Sequence, residues 1–102
     1  MPFVRISVMT AKAGHEKEVS DLLDRLIALY PGHHGFITAY RLVGRGAPTS
    51  PSFGRLSMWE HEEDVRAMAA EAKDIAIQSQ LKLITEEETH AEYAFEAFEL
   101  KH

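Results

Sequence analysis

The first strand-like segment of the chain is apolar on both of its faces, and this property restricts the fold more than any other. Residues 3–10 alternate in the manner of an extended strand, whose successive side chains point to opposite sides. One side carries Val4, Ile6 and Val8. The other side carries Phe3 and Met9, with Arg5 and Ser7 as its polar exceptions. A strand of this composition is typical of a sheet that is covered on both faces.

The next elements are recognised by changes in the period of the apolar residues. They first recur at helical spacing, and the stripe consists of Val19, Leu22, Leu23, Leu26, Ile27 and Tyr30. Pro31-Gly32 ends this helix, and residues 35–43, rich in β-branched and aromatic side chains, predict a second strand. Because the loop at residues 44–52 is too short for a helical crossover, the third strand, residues 53–59, is expected to lie antiparallel to the second.

The second half of the chain contains a helical region and a final strand. Acidic residues at 60–64 mark a helix start, and the helical positions that follow are Val65, Met68, Ala69 and Ala72. Residues 73–85 fit either a third short helix or a continuation that bends near residues 73–74. Residues 86–89 are typical of a solvated loop, and residues 90–100 favour an alternating strand. The order β-α-β-β-α-β predicts a ferredoxin-like α+β fold, with a four-stranded antiparallel sheet and helices on one face.

Composition limits the classes of protein to which this sequence can belong. Its 102 residues predict a single domain, 1–102. The sequence has no cysteine, which excludes disulfides, thiolate catalysis and thiolate-bound zinc. The net charge of −5 argues against binding to nucleic acid or to a membrane surface, although residues 1–52 carry six basic and four acidic side chains. No signal peptide or long apolar segment is recognisable, so a cytoplasmic protein is expected.

Four short motifs, in order along the chain, resemble those of a known family. The sequence KAGHEKE at residues 12–18 resembles a lysine-x-glycine turn into an acidic first helix, and YPGHHGF at 30–36 resembles a Pro-Gly exit into the second strand. MWEHEE at 58–63 resembles a third-strand tryptophan before an acidic helix start, and an alternating strand closes the chain. Together they are similar to the antibiotic biosynthesis monooxygenase (ABM)-like family of the dimeric α/β-barrel superfamily. The resemblance implies a homodimer in which two sheets pack face to face.

The resemblance also implies a site between the sheet and the helices. Family members that are cofactor-independent oxygenases act on electron-rich phenols, with polar groups that stabilise the substrate anion. Their tryptophan corresponds to Trp59, which is expected to form a wall of the pocket. At the positions where the family has an asparagine and a tyrosine, this chain has Arg55 and Val65 instead. Arg55 is expected to hold a phenolate by charge, and alternation places it and Ser57 on the face of Trp59. The structural alternatives are a packed core tryptophan and an arginine at the surface.

The other candidate residues are two histidines and two polar residues of the first strand. His34 is a candidate base and His33 a candidate substrate contact, because an unperturbed imidazole titrates near neutrality; exposed loop spacers are the alternative. Arg5 and Ser7 share a strand face, and Arg5 is either half of an edge ion pair or a hook for an anion. No metal site and no cofactor are expected, and haem degradation is disfavoured because residues 62–85 contain no histidine.

The sequence therefore predicts a cofactor-independent monooxygenase that acts, as a homodimer, on a small aromatic or quinol-like substrate. The alternative is a non-enzymatic protein of the stress-responsive α/β-barrel type, or a small-molecule binding protein. A pocket on the order of several hundred Å³ beside Trp59 would favour ligand binding, whereas a filled interior would count against an enzyme.

Overall fold

The computed structural model describes residues 1–45 and 52–101. The elements in chain order are β1 (Phe3–Ala11), α1 (Glu16–Ile27), β2 (Phe36–Val43), β3 (Ser52–Trp59), α2 (Glu62–Ala69), α3 (Ala72–Ile84) and β4 (Thr85–Glu96). These strands form an antiparallel sheet in the order β2-β3-β1-β4. The predicted ferredoxin-like α+β layout is confirmed, while residues 46–51 of the predicted loop lie outside the described residues.

Strand β1 lies at the centre of the sheet, and its register brings polar residues of three strands together. Ser7 is opposite Arg55 of β3 on one side and opposite Glu92 of β4 on the other. Because directly opposed residues share a face, these three side chains lie on the same face of the sheet. Met9 and Phe53, which also oppose each other, belong to this face and are buried in the core under the helices. The polar residues are therefore on the helix-covered face.

The core lies between the sheet and the three helices, and α1 contributes four of its residues. Glu16 and Glu18 occupy the first turn of α1, where negative charge is favoured by the helix dipole. The chain leaves the helix through a turn in which Gly32 has φ of 93°, a conformation that favours glycine. All six residues of the predicted helical stripe are buried except Ile27, which is partly buried. The core consists of Met9, Ala11, Val19, Leu22, Leu23, Leu26, Tyr30, Phe53, Trp59, Val65, Met68, Ile77 and Leu81.

Residues 73–84 belong to the separate helix α3, the first of the two predicted alternatives, and residue 85 begins β4. The break precedes the predicted bend at residues 73–74, because Glu71 adopts an extended conformation with φ of −74° and ψ of 145°. The buried residues of α3 are Asp74, Ile77 and Leu81, whereas Ile75 and Leu83 are exposed. Asp74 thus has its carboxylate at a helix position that is ordinarily occupied by an apolar side chain.

No helix in the described part of the chain is long and apolar enough to cross a membrane.

The last strand begins earlier than the sequence pattern predicts. Residues 86–89, predicted as a solvated loop, belong to β4, and the amide of Thr10 donates to the hydroxyl of Thr89 at 2.9 Å. A register shift in the pairing with β1 marks a β-bulge at this point. The strand is not recognisable here from the sequence, because three successive glutamates do not show the apolar pattern of a strand. A strand at the edge of a sheet tolerates such charges, whereas an interior strand does not. The strand ends at Glu96 and does not continue through the predicted tail.

The face of the sheet that points away from the helices has no covering element among residues 1–45 and 52–101. Its central side chains are Val4, Ile6, Val8, Leu56 and Met58. The aromatic residues Tyr40, Tyr93 and Phe95 flank them and are 59%, 49% and 52% exposed. Tyr93 stacks on Phe95, with ring centroids 6.5 Å apart. We refer to this surface as the open face. Its apolar composition is typical of a surface that packs against another layer of protein.

Candidate functional site

Five polar side chains lie buried between the sheet and the helices. Ser7, Arg55 and Ser57 extend from β1 and β3 and are 3%, 3% and 2% exposed. Tyr30 lies just after α1, and Asp74 lies in the first turn of α3; each side chain is 1% exposed. The positive charge of Arg55 acts to lower the pKa of both. We refer to these five residues as the buried polar group. Charged side chains are rarely buried to this extent unless they are paired, so the group calls for an explanation other than packing.

Several polar atoms in this region have no hydrogen-bond partner among the described residues. They are Arg55 Nη1, Trp59 Nε1 and both carboxylate oxygens of Asp74. Leaving a buried donor or acceptor unsatisfied costs about 1–3 kcal/mol, and more when the group is charged. The set comprises two donors and two acceptors, which are the groups that a small molecule carrying both a donor and an acceptor can satisfy. None of the three residues lines the cleft described below.

Burial changes the acid–base behaviour of this group. Desolvation raises the pKa of Asp74, and the positive charge of Arg55 offsets only part of that rise. Desolvation likewise raises the pKa of the Tyr30 hydroxyl, with Arg55 acting in the opposite direction. Asp74 is therefore a stronger proton acceptor than an exposed aspartate, and it lies within range of a fixed cation.

A cleft of about 420 Å³ opens between α2 and the edge formed by β1 and β4. Its lining residues are Phe3, Arg5, Glu62, Val65, Arg66, Ala69, Glu92, Tyr93 and Ala94. Arg5 donates to Glu92 at 2.7 Å, and the Ser7 hydroxyl donates to the same carboxylate oxygen at 3.4 Å. Ser7 is a member of the buried polar group, so Glu92 connects the cleft to that group. Of the two predicted alternatives for Arg5, the structure has the ion pair.

Trp59 is placed in the core and does not line the cleft. Its side chain is fully buried, with its ring centroid 5.5 Å from that of Tyr30 and 5.2 Å from that of Phe36, both in edge-on geometry. The indole is thus a packed core side chain, the structural alternative to the predicted pocket wall. Its unpartnered N–H nevertheless belongs to the same layer as Arg55 and Asp74.

His33 and His34 contact helix α2 and its C-terminal end and do not join the buried polar group. His34 Nδ1 lies 2.8 Å from Asp64 Oδ1, and the His34 side chain is 85% exposed. His33 Nε2 lies 3.5 Å from Glu71 Oε2. The hydrogen bond with Asp64 raises the pKa of His34. Both histidines therefore tie the loop before β2 to the second helical region.

Sequence reasoning missed three residues of the site, namely Tyr30, Asp74 and Glu92. Asp74 had a recognisable signal, because it precedes Ile77 by three residues and Leu81 by seven, which places it on the buried stripe of α3. Glu92 could be found only from the pairing of β4 with β1, which the sequence does not specify.

Within the described ranges, no cluster of three or more histidine, aspartate or glutamate side chains could hold a metal ion.

Comparison with solved structures supports the fold. The chain is similar to SnoaB, a cofactor-independent oxygenase from Streptomyces nogalater, with 17% identity and a TM-score of 0.78 over 98% of this chain and 97% of that chain. Two proteins provisionally named antibiotic biosynthesis monooxygenases are also similar. The protein from Nitrosomonas europaea has 12% identity and a TM-score of 0.83, over 94% of this chain and 89% of that chain. The protein from Deinococcus radiodurans has 16% identity and a TM-score of 0.83, over 98% of this chain and 96% of that chain. Sequence comparison finds no matching family model and no matching curated protein. The likeness confirms the fold that the sequence motifs predict.

The buried carboxylate gives a prediction for stability. Because the pKa of Asp74 is raised, the folded state holds the proton more tightly than the unfolded state, and the free energy of unfolding falls as pH rises above about 4. Asp74→Asn removes this ionisation and is expected to raise the free energy of unfolding at neutral pH by on the order of 1 kcal/mol. Urea unfolding at about pH 7 and about pH 3 measures it, with the exposed Glu99→Gln as control. An equal gain at both pH values, or no gain, would contradict the prediction.

Proposed function

We propose that this protein is a cofactor-independent oxygenase that binds a small phenol or hydroquinone between the sheet and the helices. The observation that carries the proposal is the set of unpartnered buried atoms on Arg55, Trp59 and Asp74. A phenol supplies a hydroxyl hydrogen for the Asp74 carboxylate and an oxygen for the donors of Arg55 and Trp59. The shared fold with SnoaB, described as a cofactor-independent oxygenase, agrees with this chemistry.

The proposed reaction needs a base, an anion-binding group and a site closed to bulk water. Asp74 accepts the phenolic proton, and the Arg55 guanidinium stabilises the resulting phenolate, which is the form that reacts with O₂. The phenol loses its hydroxyl proton and one ring hydrogen, and the ring carbon gains one oxygen atom as a carbonyl. The second oxygen atom leaves as water with these two hydrogens, so one phenol and one O₂ give one quinone and one water. All electrons that O₂ takes up come from the substrate, so the reaction requires no cofactor.

In this proposal the substrate enters through the cleft, whose lining does not itself include Arg55, Trp59 or Asp74. Its apolar residues Phe3, Val65 and Ala69 offer contact for an aromatic ring, and its volume of about 420 Å³ is in the range of small-molecule sites. Ser7 and Glu92 connect it to the buried polar group. Arg5 and His34 were sequence candidates for anion binding and base catalysis, and in this proposal Asp74 takes the role of base.

Oxygen uptake tests the proposal directly. The full chain is incubated with a panel of hydroquinones and phenols, and O₂ consumption is followed together with the quinone absorbance. Turnover at a fixed ratio of one O₂ consumed to one quinone formed, with water and no H₂O₂ as the second product, supports the reaction, because oxidation of a hydroquinone without oxygen insertion has the same ratio but releases H₂O₂. Asp74→Asn is expected to lose turnover because the base is gone, whereas Glu99→Gln is expected to keep it. An absence of uptake across the panel would contradict the oxygenase.

The second candidate is a barrel protein without catalysis, of the stress-responsive or small-molecule-binding type. The packing of Trp59 between Tyr30 and Phe36 favours the stress-responsive type, because a filled core beside the tryptophan leaves less room for a ring. The two candidates differ in one measurement. A binder would take up the phenols in calorimetry without consuming O₂, and a barrel of the stress-responsive type would do neither.

The proposed assembly is a homodimer in which the open faces of two copies pack together. This arrangement would cover the aliphatic centre of the sheet and its flanking aromatic side chains. It would also complete the second apolar layer that the composition of β1 predicts.

A further inference from the structure

The charges that line the cleft occur as two complete ion pairs. Arg5 is paired with Glu92 across strands β1 and β4, and Arg66 is paired with Glu62 along helix α2. Two positive and two negative side chains therefore line this cavity, beside the apolar residues that contact a ring. A ligand with a fixed negative charge finds no free cation in this lining among the described residues.

The two ion pairs differ in their surroundings. The Arg66 side chain is 74% exposed, so water screens its charge, whereas the Arg5 side chain is 21% exposed and lies nearest to the buried polar group through Ser7. The two carboxylates are exposed to a similar extent, 60% for Glu92 and 50% for Glu62, so the pairs differ at their arginines and in the link of Glu92 to Ser7. Partial burial by itself raises the pKa of Glu92, but the hydrogen bond and charge of Arg5 outweigh it, and the pKa is lowered overall. Glu92 is therefore an anion at neutral pH, located between the cleft and the interior.

We infer that Glu92 is a specificity-determining residue, which favours neutral phenols and excludes aromatic carboxylates from the cleft; this inference rests on the proposed function. An aromatic carboxylate would either displace Glu92 from Arg5 or lie beside it as a like charge, and both arrangements are unfavourable. A neutral phenol meets neither penalty. It becomes an anion only when it reaches Asp74 and Arg55.

The variant Glu92→Gln tests this inference with little change of shape. The amide oxygen still accepts hydrogen bonds from Arg5 and Ser7, while the negative charge is removed. Calorimetry without O₂ compares hydroquinone with its carboxylated analogue 2,5-dihydroxybenzoate, so binding is measured apart from turnover. The Kd of the carboxylate is expected to fall about tenfold or more, and that of hydroquinone to change less than about threefold.

A matched control is available on the other side of the cleft. Glu62→Gln removes the same charge from the exposed pair with Arg66, and we expect the preference between the two ligands to stay as in the unmodified chain. Equal discrimination in Glu92→Gln and in the unmodified chain would overturn the inference, and so would an equal shift in Glu62→Gln. Failure of both ligands to bind any of the three proteins would overturn it as well.

The outcomes separate this inference from the proposed function. A changed preference in Glu92→Gln, with no O₂ uptake by the unmodified chain, would keep Glu92 as the selecting residue of a binding protein and remove the oxygenase. O₂ uptake with an unchanged preference would keep the oxygenase and remove the role of Glu92. Circular dichroism confirms that the variants fold, which is expected because the Glu92 side chain is 60% exposed on an edge strand.

Discussion

Replacement of Arg55 by methionine is expected to lower the rate of phenol oxidation by about 100- to 1,000-fold, the effect of removing a preorganised donor from a developing anion. Arg55 is the buried cation of the proposed site, and its Nη1 is one of the donors without a partner among the residues described. Methionine preserves much of the length of the side chain and removes only the charge and the hydrogen bonds. The phenolate would then form beside an apolar group, so the loss is expected in kcat.

Arg41 offers a matched control for this measurement. It is directly opposite Arg55 in the pairing of β2 with β3, but it is paired with Asp24 at 2.7 Å and is far more exposed. Arg41→Met is expected to leave O₂ uptake within about twofold of the unmodified chain, since a solvent-exposed ion pair contributes little. Arg55→Lys, which keeps the charge but not the planar fork, is expected to restore part of the rate. If Arg41→Met and Arg55→Met reduced uptake equally, Arg55 would have no special role.

The strand part of the site can be predicted from the sequence because alternation has a fixed period. Arg55, Ser57 and Trp59 are two residues apart along β3, so their side chains lie on one face of that strand. Arg5 and Ser7 are likewise two residues apart along β1 and lie on one face of it. The short connection between β2 and β3 predicts only that these two strands are antiparallel, whereas the position of Ser7 opposite Arg55 is set by the pairing of β1 with β3. Strand alternation does not place Asp74, which belongs to a helix. Its spacing to Ile77 and Leu81 puts it on the buried stripe once α3 is recognised, but the extended conformation of Glu71 that precedes this helix has no signature in the sequence.

The edge strand limits prediction for a different physical reason. The sequence of β4 is acidic at residues 86–88 because an edge strand is exposed on one side and tolerates charge, and a bulge absorbs the change of register there. Glu92 is part of the same strand, so its pairing with Arg5 becomes visible only when that register is known. The predicted roles of His33 and His34 rested on residue type alone, and both side chains contact carboxylates of the α2 region.

Substitution of Leu56 by glutamate is expected to convert the proposed homodimer into a monomer. Leu56 lies at the centre of the open face, opposite Ile6 on one side and Tyr40 on the other, where a charge would be buried without a partner in the assembly. A two-fold interface contains every substitution twice, and a loss of about 2 kcal/mol at each site corresponds to about a 1,000-fold increase in Kd. Sedimentation velocity at micromolar concentration measures the change.

The control for this variant lies on the other side of the molecule. Leu83 of α3 is 73% exposed, so Leu83→Glu makes the same chemical change on the helical layer, away from the open face. We expect it to sediment like the unmodified chain. A monomer in the unmodified chain at this concentration would contradict the proposed dimer, and so would dissociation caused equally by both variants. A dimer of unchanged strength in Leu56→Glu would place the interface on another surface, and the open face would then require a different cover.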